Sequence, residues 1–261
     1  MRTGWMGVVS AWGLCSLSAL VGCKDEAAAT RVAPPAAPGS QSIAAGATRF
    51  AVAEQGKATF LIDAPLEKIK GRSGKIRGEI TLDPDDLMTT RGEVDVDLMD
   101  LVTETFDDAD KNKTQTGHAH NWMEIGDDVE AKRREENRFA RFTIQSIDNV
   151  SSKLADAPDN GGERMVMVTA HGELWAHGVS SPKEMKLAAT FQGPPNAPTT
   201  IHVTTAEPLK LSLKEHDIKP RDVAGKFLNG ALEKVGKKID DTVQISLDLM
   251  ARSSKSRVTA N

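Results

Sequence analysis

The residues best suited to chemistry are few. His118-Ala119-His120 places two imidazoles two positions apart, with Asp107, Asp108 and Asp110 just upstream. Imidazole and carboxylate together suit a divalent metal such as zinc, and a metal-bound water would make the site a hydrolase. No third ligand follows at a diagnostic spacing, so a plain polar loop explains the same residues. His171, Glu173 and His177 alternate in sequence and share a face if their stretch is a strand. As such they read as polar residues near a turn. The Lys132-Arg133-Arg134 run is flanked by acids and reads as a solvated face. There is no Gly-x-Ser-x-Gly elbow, no phosphate-binding glycine loop and no dinucleotide fingerprint. The sequence therefore predicts no catalytic residue and no enzyme. A metal-dependent hydrolase built on residues 118–120 stands as a secondary alternative.

Composition removes other classes. The chain has 261 residues and a net charge of −4, with 4% aromatic residues and no Tyr. It carries no global basic field for nucleic acid. It also has few of the aromatic faces on which bases or sugars stack. Trp122 and Trp175 read as core residues. The two Cys are Cys15 and Cys23, too few for a zinc ribbon.

Cys23 has another use. Residues 1–22 open with Arg2 and continue through an apolar stretch diluted by Gly and Ser, with no further charge before Lys24. That is the pattern of a secretory signal peptide. The segment ends in Leu20-Val21-Gly22-Cys23, which resembles the lipobox of bacterial lipoproteins. The resemblance implies cleavage before Cys23 and acylation of that residue. Several acyl chains would hold the protein firmly to a membrane. Lys24 stands where Asp retains many such proteins at the inner membrane, so the resemblance implies the outer membrane, facing the periplasm. Residues 23–48 are rich in Ala, Pro and Gly with almost no large apolar side chain. They predict a lipidated flexible tether.

The folded domain is expected over 49–261. Its signature is period-two alternation between turn signals. Ile76, Gly78, Ile80 and Leu82 share one face of KIRGEITL, and Asp83–Asp86 is a turn. Val94, Val96 and Leu98 share one face of a strand whose other face holds Glu93, Asp95 and Asp97. Phe142 and Ile144 are the apolar pair of RFARFTIQS. Along 165–177, Val166, Val168, Ala170, Gly172, Leu174 and Ala176 take one face, and Thr169 belongs to the opposite, outer face. Residues 178–182 then read as a turn. Met185, Leu187, Ala189 and Phe191 follow, then Ile201 and Val203, Leu209 to Leu213, and finally Val243, Ile245, Leu247 and Leu249. Helices are expected over 120–138 and 223–239, the second from four-residue apolar spacing.

About eight half-buried strands must cover one apolar face each, and none shows the continuous apolar run of a parallel sheet. A mainly β fold follows, either a barrel or two packed sheets. An eight-stranded barrel either fills with side chains or holds one small ligand. The inward set is aliphatic and modest in size. That leans toward space for an apolar ligand; a filled barrel in a structural or partner-binding protein is the alternative.

The segment Gly172-Glu173-Leu174-Trp175-Ala176-His177-Gly178-Val179-Ser180-Ser181-Pro182 resembles a signature stretch of the YceI-like family. Paired strands GEITLDPDDL and GEVDVDLMDLVTET, the later RFARFTIQSI and the closing DDTVQISLDLMA agree in order, over about residues 57–251. The resemblance implies an eight-stranded antiparallel lipocalin-like barrel with one or two short helices, in the bacterial periplasm, holding an isoprenoid lipid such as a quinone. No other cofactor and no metal are expected. Two features depart from the family: the opening strand KATFLIDAPLEK has no His, and the stretch 106–137 is long. The expected function is a membrane-tethered carrier or reservoir for a long apolar lipid. The cavity candidates are Ile76, Ile80, Val94, Val96, Leu98, Phe142, Ile144, Val166, Val168, Leu174, Leu187, Phe191 and Val203.

Overall fold

The computed structural model describes residues 46–53, 56–63, 68–219 and 241–254. The anchor at Cys23 and the helix expected over 223–239 lie outside the described residues. Twelve strand segments follow in order: β1 (Thr48–Val52), β2 (Lys57–Asp63), β3 (Lys68–Ser73), β4 (Ile76–Asp83), β5 (Asp86–Asp97), β6 (Val102–Thr103), β7 (Phe139–Asp148), β8 (Glu163–Ala176), β9 (Val179–Gln192), β10 (Thr200–Thr205), β11 (Leu209–Ser212) and β12 (Thr242–Ser253). Two helices, α1 (Ala109–Trp122) and α2 (Ala131–Asn137), lie between β6 and β7. None of the described helices is long and apolar enough to cross a membrane.

The strands close into an antiparallel barrel. The circuit runs β1-β4-β5-β7-β8-β9-β10-β12, and β12 returns to β1 through Phe50↔Ser253 and Val52↔Ala251. Eight strands thus form the barrel. Several are interrupted. β1 and β2 both pair with β12, β4 and β3 pair with them in turn, and β6 continues beyond β5 to reach β3. Counted this way, the barrel is an up-and-down meander in which each strand pairs with its sequence neighbour. Closure removes the exposed edges that an open sheet would present.

The alternation read from sequence matches the ladder. On β9, Met185, Leu187, Ala189 and Phe191 are buried while Glu184 and Lys186 are exposed. The β4–β5 hairpin turns at Pro84-Asp85, with Asp83 opposite Asp86, and Asp83 Oδ1 accepts from the Asp85 amide at 3.0 Å. Three strands had no readable pattern. β3 presents Ile69, Gly71 and Ser73 inward, too small and polar to register as an apolar face. Gly71 is required because a Cβ there would lie 2.4 Å from the Phe60 ring. β1 and the two-residue β6 are short.

Two boundaries move. The β8–β9 turn is His177-Gly178, with φ of +51° and +80°, so residues 179–182 are strand rather than turn. Two successive positive φ values match the twist of the flanking strands. The helical stretch begins at Ala109, not residue 120, because Asp108 caps it: its Oδ1 accepts from the amides of Asp110 and Lys111 at 2.9 and 3.1 Å. It breaks after Trp122, and Glu124 takes φ +54° before α2 starts.

Candidate ligand cavity

The two ends of the barrel differ. One carries the helical excursion, the His177-Gly178 turn and the 213–218 loop. The other carries the Pro84-Asp85 turn and the connections 149–162 and 193–199. The cavity lies in the second half. Its volume is about 70 Å³. Seventeen residues line it, and Thr90 is the one polar member. The Thr90 hydroxyl donates to the Leu87 carbonyl at 2.7 Å.

Eight sequence-predicted residues line this space. Ile80 comes from β4, Val94 from β5, Phe142 and Ile144 from β7, Val168 from β8, Leu187 and Phe191 from β9, and Val203 from β10. The other five do not. Ile76 and Leu174 are buried in the same core but lie toward the helical end. Val96 is half-buried between the main core and a smaller cluster that contains Leu98, Leu101 and Ile125. Val166 is fully buried beside the 149–162 connection, off the cavity. Ile76, Val96, Val166 and Leu174 stand on the strand faces expected of them, whereas Leu98 lies just past the end of β5 in a 3-10 turn over Leu98–Asp100 that Asp97 caps; alternation carries no information about depth along the barrel axis.

Sequence reading also passed over liners. Met185, Ile201, Leu247 and Leu249 stand on the alternating faces and were legible as inward. Leu87 and Ile147 were not. The β7–β8 register shifts between Ile144 and Ser146, which turns Ile147 inward three residues after Ile144. A similar shift in the β4–β5 pairing separates Leu87 from the regular part of β5. An extra residue in a ladder swaps the faces beyond it.

The end of the barrel next to the cavity is closed by the 149–162 connection. It folds Leu154 and Ala157 into the core with exposures of 0% and 1%. The Ser151 amide bonds the Met167 carbonyl at 2.9 Å, and Ser151 Oγ accepts from the Met167 amide at 3.0 Å. Arg164 donates to the Ala157 carbonyl and to Asp159. Phe142 lies against Gly172, where a Cβ would approach its ring to 2.9 Å and the Thr143 carbonyl to 2.1 Å. The missing side chain makes room for that ring at the deep end of the cavity.

The candidate polar residues lie elsewhere. His118 and His120 sit on α1 rather than in a loop, and His120 Nε2 is 2.9 Å from the Leu101 carbonyl. Among the described residues no three His, Cys, Asp or Glu side chains gather as a metal site. Arg133 is not simply solvated; it holds Glu124 at 2.7 Å. His171 pairs with Asp148 at 3.0 Å. His177 has left the strand for the turn, is 1% exposed, and donates through Nδ1 to the His216 carbonyl at 3.0 Å. His216 is fully buried, which pushes its pKa below the ordinary histidine value. Its Nδ1 donates to the Ala176 carbonyl at 3.2 Å, so Nε2 accepts from Ser181 Oγ at 3.0 Å. This network ties the 213–218 loop to the β8–β9 turn. Trp122 and Trp175 are both buried and neither lines the cavity.

The outer face of β5 is the larger surprise. Glu93, Asp95 and Asp97 alternate with Val94 and Val96, as expected, yet all three are at most 7% exposed. Arg141 holds Glu93 at 2.8 Å and Asp95 at 2.6 Å; Arg77 reaches Asp95 at 3.0 Å; Arg138 reaches Asp97 at 2.8 Å. Phe139 lies between the Arg77 and Arg138 guanidinium groups, at 4.0 and 5.0 Å. Three acids thus face three arginines on the wall outside the cavity. Thr169, also on the outer face, is only 4% exposed.

Comparison with known proteins bears on this architecture. A structure of a polyisoprenoid binding domain from Saccharophagus degradans, implicated in plant cell wall breakdown, aligns at TM-score 0.50 and 16% identity, over 79% of this chain and 99% of that one. BcnA of Burkholderia cenocepacia aligns at TM-score 0.48 and 14% identity, over 76% and 98%. A Campylobacter jejuni YceI protein aligns at 0.44 and 12%, over 71% and 85%. No curated protein matches the sequence. The family model of the YceI-like domain matches residues 50–251, which run from the first barrel strand to the last, and the chain belongs to the YceI-like domain family.

Proposed function

We propose that the protein binds an apolar lipid, of isoprenoid or similar long-chain type, with its hydrocarbon in the barrel cavity, and that it acts as a carrier or reservoir without a catalytic step. The observation that carries this is the cavity's lining: sixteen of seventeen residues are apolar. Native cores leave few voids larger than a water molecule. At ~24 cal/mol per Å³, leaving 70 Å³ empty costs about 1.7 kcal/mol, and an apolar void does not recruit water. A hydrocarbon ligand recovers that cost and adds ~0.8 kcal/mol per buried methylene. The likeness to a polyisoprenoid binding domain supports the same ligand class. Native mass spectrometry of the purified protein tests it. A lipid-sized mass adduct, lost on organic extraction and restored by added isoprenoid, is expected. Protein that neither carries nor takes up such a mass would favour the filled-barrel reading.

We infer further that Leu20–Cys23 directs lipidation, so that the barrel works tethered in the bacterial envelope, at the outer membrane. Its support is the motif and the Ala/Pro-rich stretch after it. Metabolic labelling with a fatty acid should mark the wild type and leave Cys23→Ser unlabelled and unprocessed. Label retained in the variant would remove the anchor from this reading.

A further inference from the structure

We propose that the cavity reads only the hydrocarbon chain of its ligand and is indifferent to the polar head group. The inference rests on the lipid-binding reading above and narrows the ligand class. Strand alternation sends every nearby charge to the outer wall. Glu93 and Asp95 flank the cavity residue Val94 and are held outside by Arg141. Lys186, beside Leu187, pairs with Glu207 at 3.1 Å. His202, between Ile201 and Val203, pairs with Asp248 at 2.8 Å. Inside, Thr90 alone is polar, and its proton is already given to the Leu87 carbonyl. A quinone carbonyl, carboxylate or phosphate entering the cavity would meet no free donor among the lining side chains. Buried acceptors without donors are penalised by roughly one to two powers of ten in affinity. The head group therefore stays outside the lined space, and the chain supplies the affinity.

The test uses three C20 isoprenoids with one chain: the oxygen-free hydrocarbon, the primary alcohol and the diphosphate, each competing against a fluorescent alkyl probe in the same detergent. A tail-less quinone ring is the fourth ligand. The three chain-bearing ligands should bind within about threefold of each other, and the ring should not compete. Thr90→Val should shift the three affinities together and leave their ratios within that range. A preference of tenfold or more for one head group would overturn the proposal. So would a loss of tenfold or more for the alcohol or diphosphate alone in Thr90→Val. If none of the chain-bearing ligands competes, the lipid-binding reading falls and this proposal with it.

Discussion

Asp95→Ala is expected to cost the fold about 3–5 kcal/mol, the range for removing one partner from a buried ion pair. Asp95 accepts from Arg141 at 2.6 and 2.8 Å and from Arg77 at 3.1 and 3.0 Å. It is 4% exposed and Arg141 is 7% exposed, so truncation takes two charge-assisted bonds from a buried guanidinium. Glu93→Gln should behave oppositely. Burial raises the Glu93 pKa, and the attraction of Arg141 only partly offsets it. A carboxyl whose folded pKa is raised contributes stability that is full below its unfolded value and is lost as pH rises through the folded one. At neutral pH the charge is therefore a cost, and Gln should leave the melting temperature equal or higher. The difference between Glu93→Gln and wild type should shrink as pH falls, because wild-type Glu93 then becomes neutral too. Urea unfolding of both variants across pH checks this. A mild Asp95→Ala, or a Glu93→Gln as costly as Asp95→Ala, would refute the account.

The acids of β5 mark where sequence reasoning stops. EVDVDL fixes which side chains share a face, and the face assignment holds. It does not say whether the outer face is wet. Alternating Glu and Asp read as solvent contacts until Arg141, forty-six positions from Asp95, arrives through β7. That partnership comes from the β5–β7 pairing, which sets Arg141 directly opposite Asp95, and it has no local signature. Thr169 shows the same limit: it stands on the outer face, as its place in the alternation requires, and is only 4% exposed.

The choice between a hollow and a filled barrel has a related answer. Ile76 and Leu174, expected beside the ligand, pack with Trp122 into the core toward the helical end. Trp122 reaches that core because α1, built within the long 106–137 stretch, delivers it. Cavity and packed core thus coexist in one barrel, at different depths. The eight candidates that line the cavity share strands with candidates that do not: Ile80 with Ile76 on β4, Val94 with Val96 on β5, and Val168 with Val166 and Leu174 on β8. The interior faces were legible from period-two spacing; depth was not, since it depends on where each hairpin turns and on the two register shifts.

Val168→Phe separates the occupied from the filled barrel most sharply. Val168 lines the cavity and lies directly opposite Leu187, another liner. A larger ring in a close-packed core costs ~1–3 kcal/mol, which in a domain of this size lowers the melting temperature by roughly 2–4 °C per kcal/mol. Here the ring has open space to enter. Delipidated Val168→Phe should melt within about 2 °C of wild type, because the filled void offsets the strain. Binding of a fluorescent isoprenoid analogue should fall at least tenfold, since the ring occupies ligand space. Thr169→Phe cannot serve as the outward control: Thr169 is 4% exposed and accepts a bond from Asn149 at 3.3 Å. Met165 is 54% exposed on the same outer face of β8, and Met165→Phe should change neither melting nor binding. An early-melting Val168→Phe, together with a wild type that binds no analogue, would mean the side chains already use this space. Loss of binding in Met165→Phe instead would place the ligand on the outer wall, where the strand alternation does not put it.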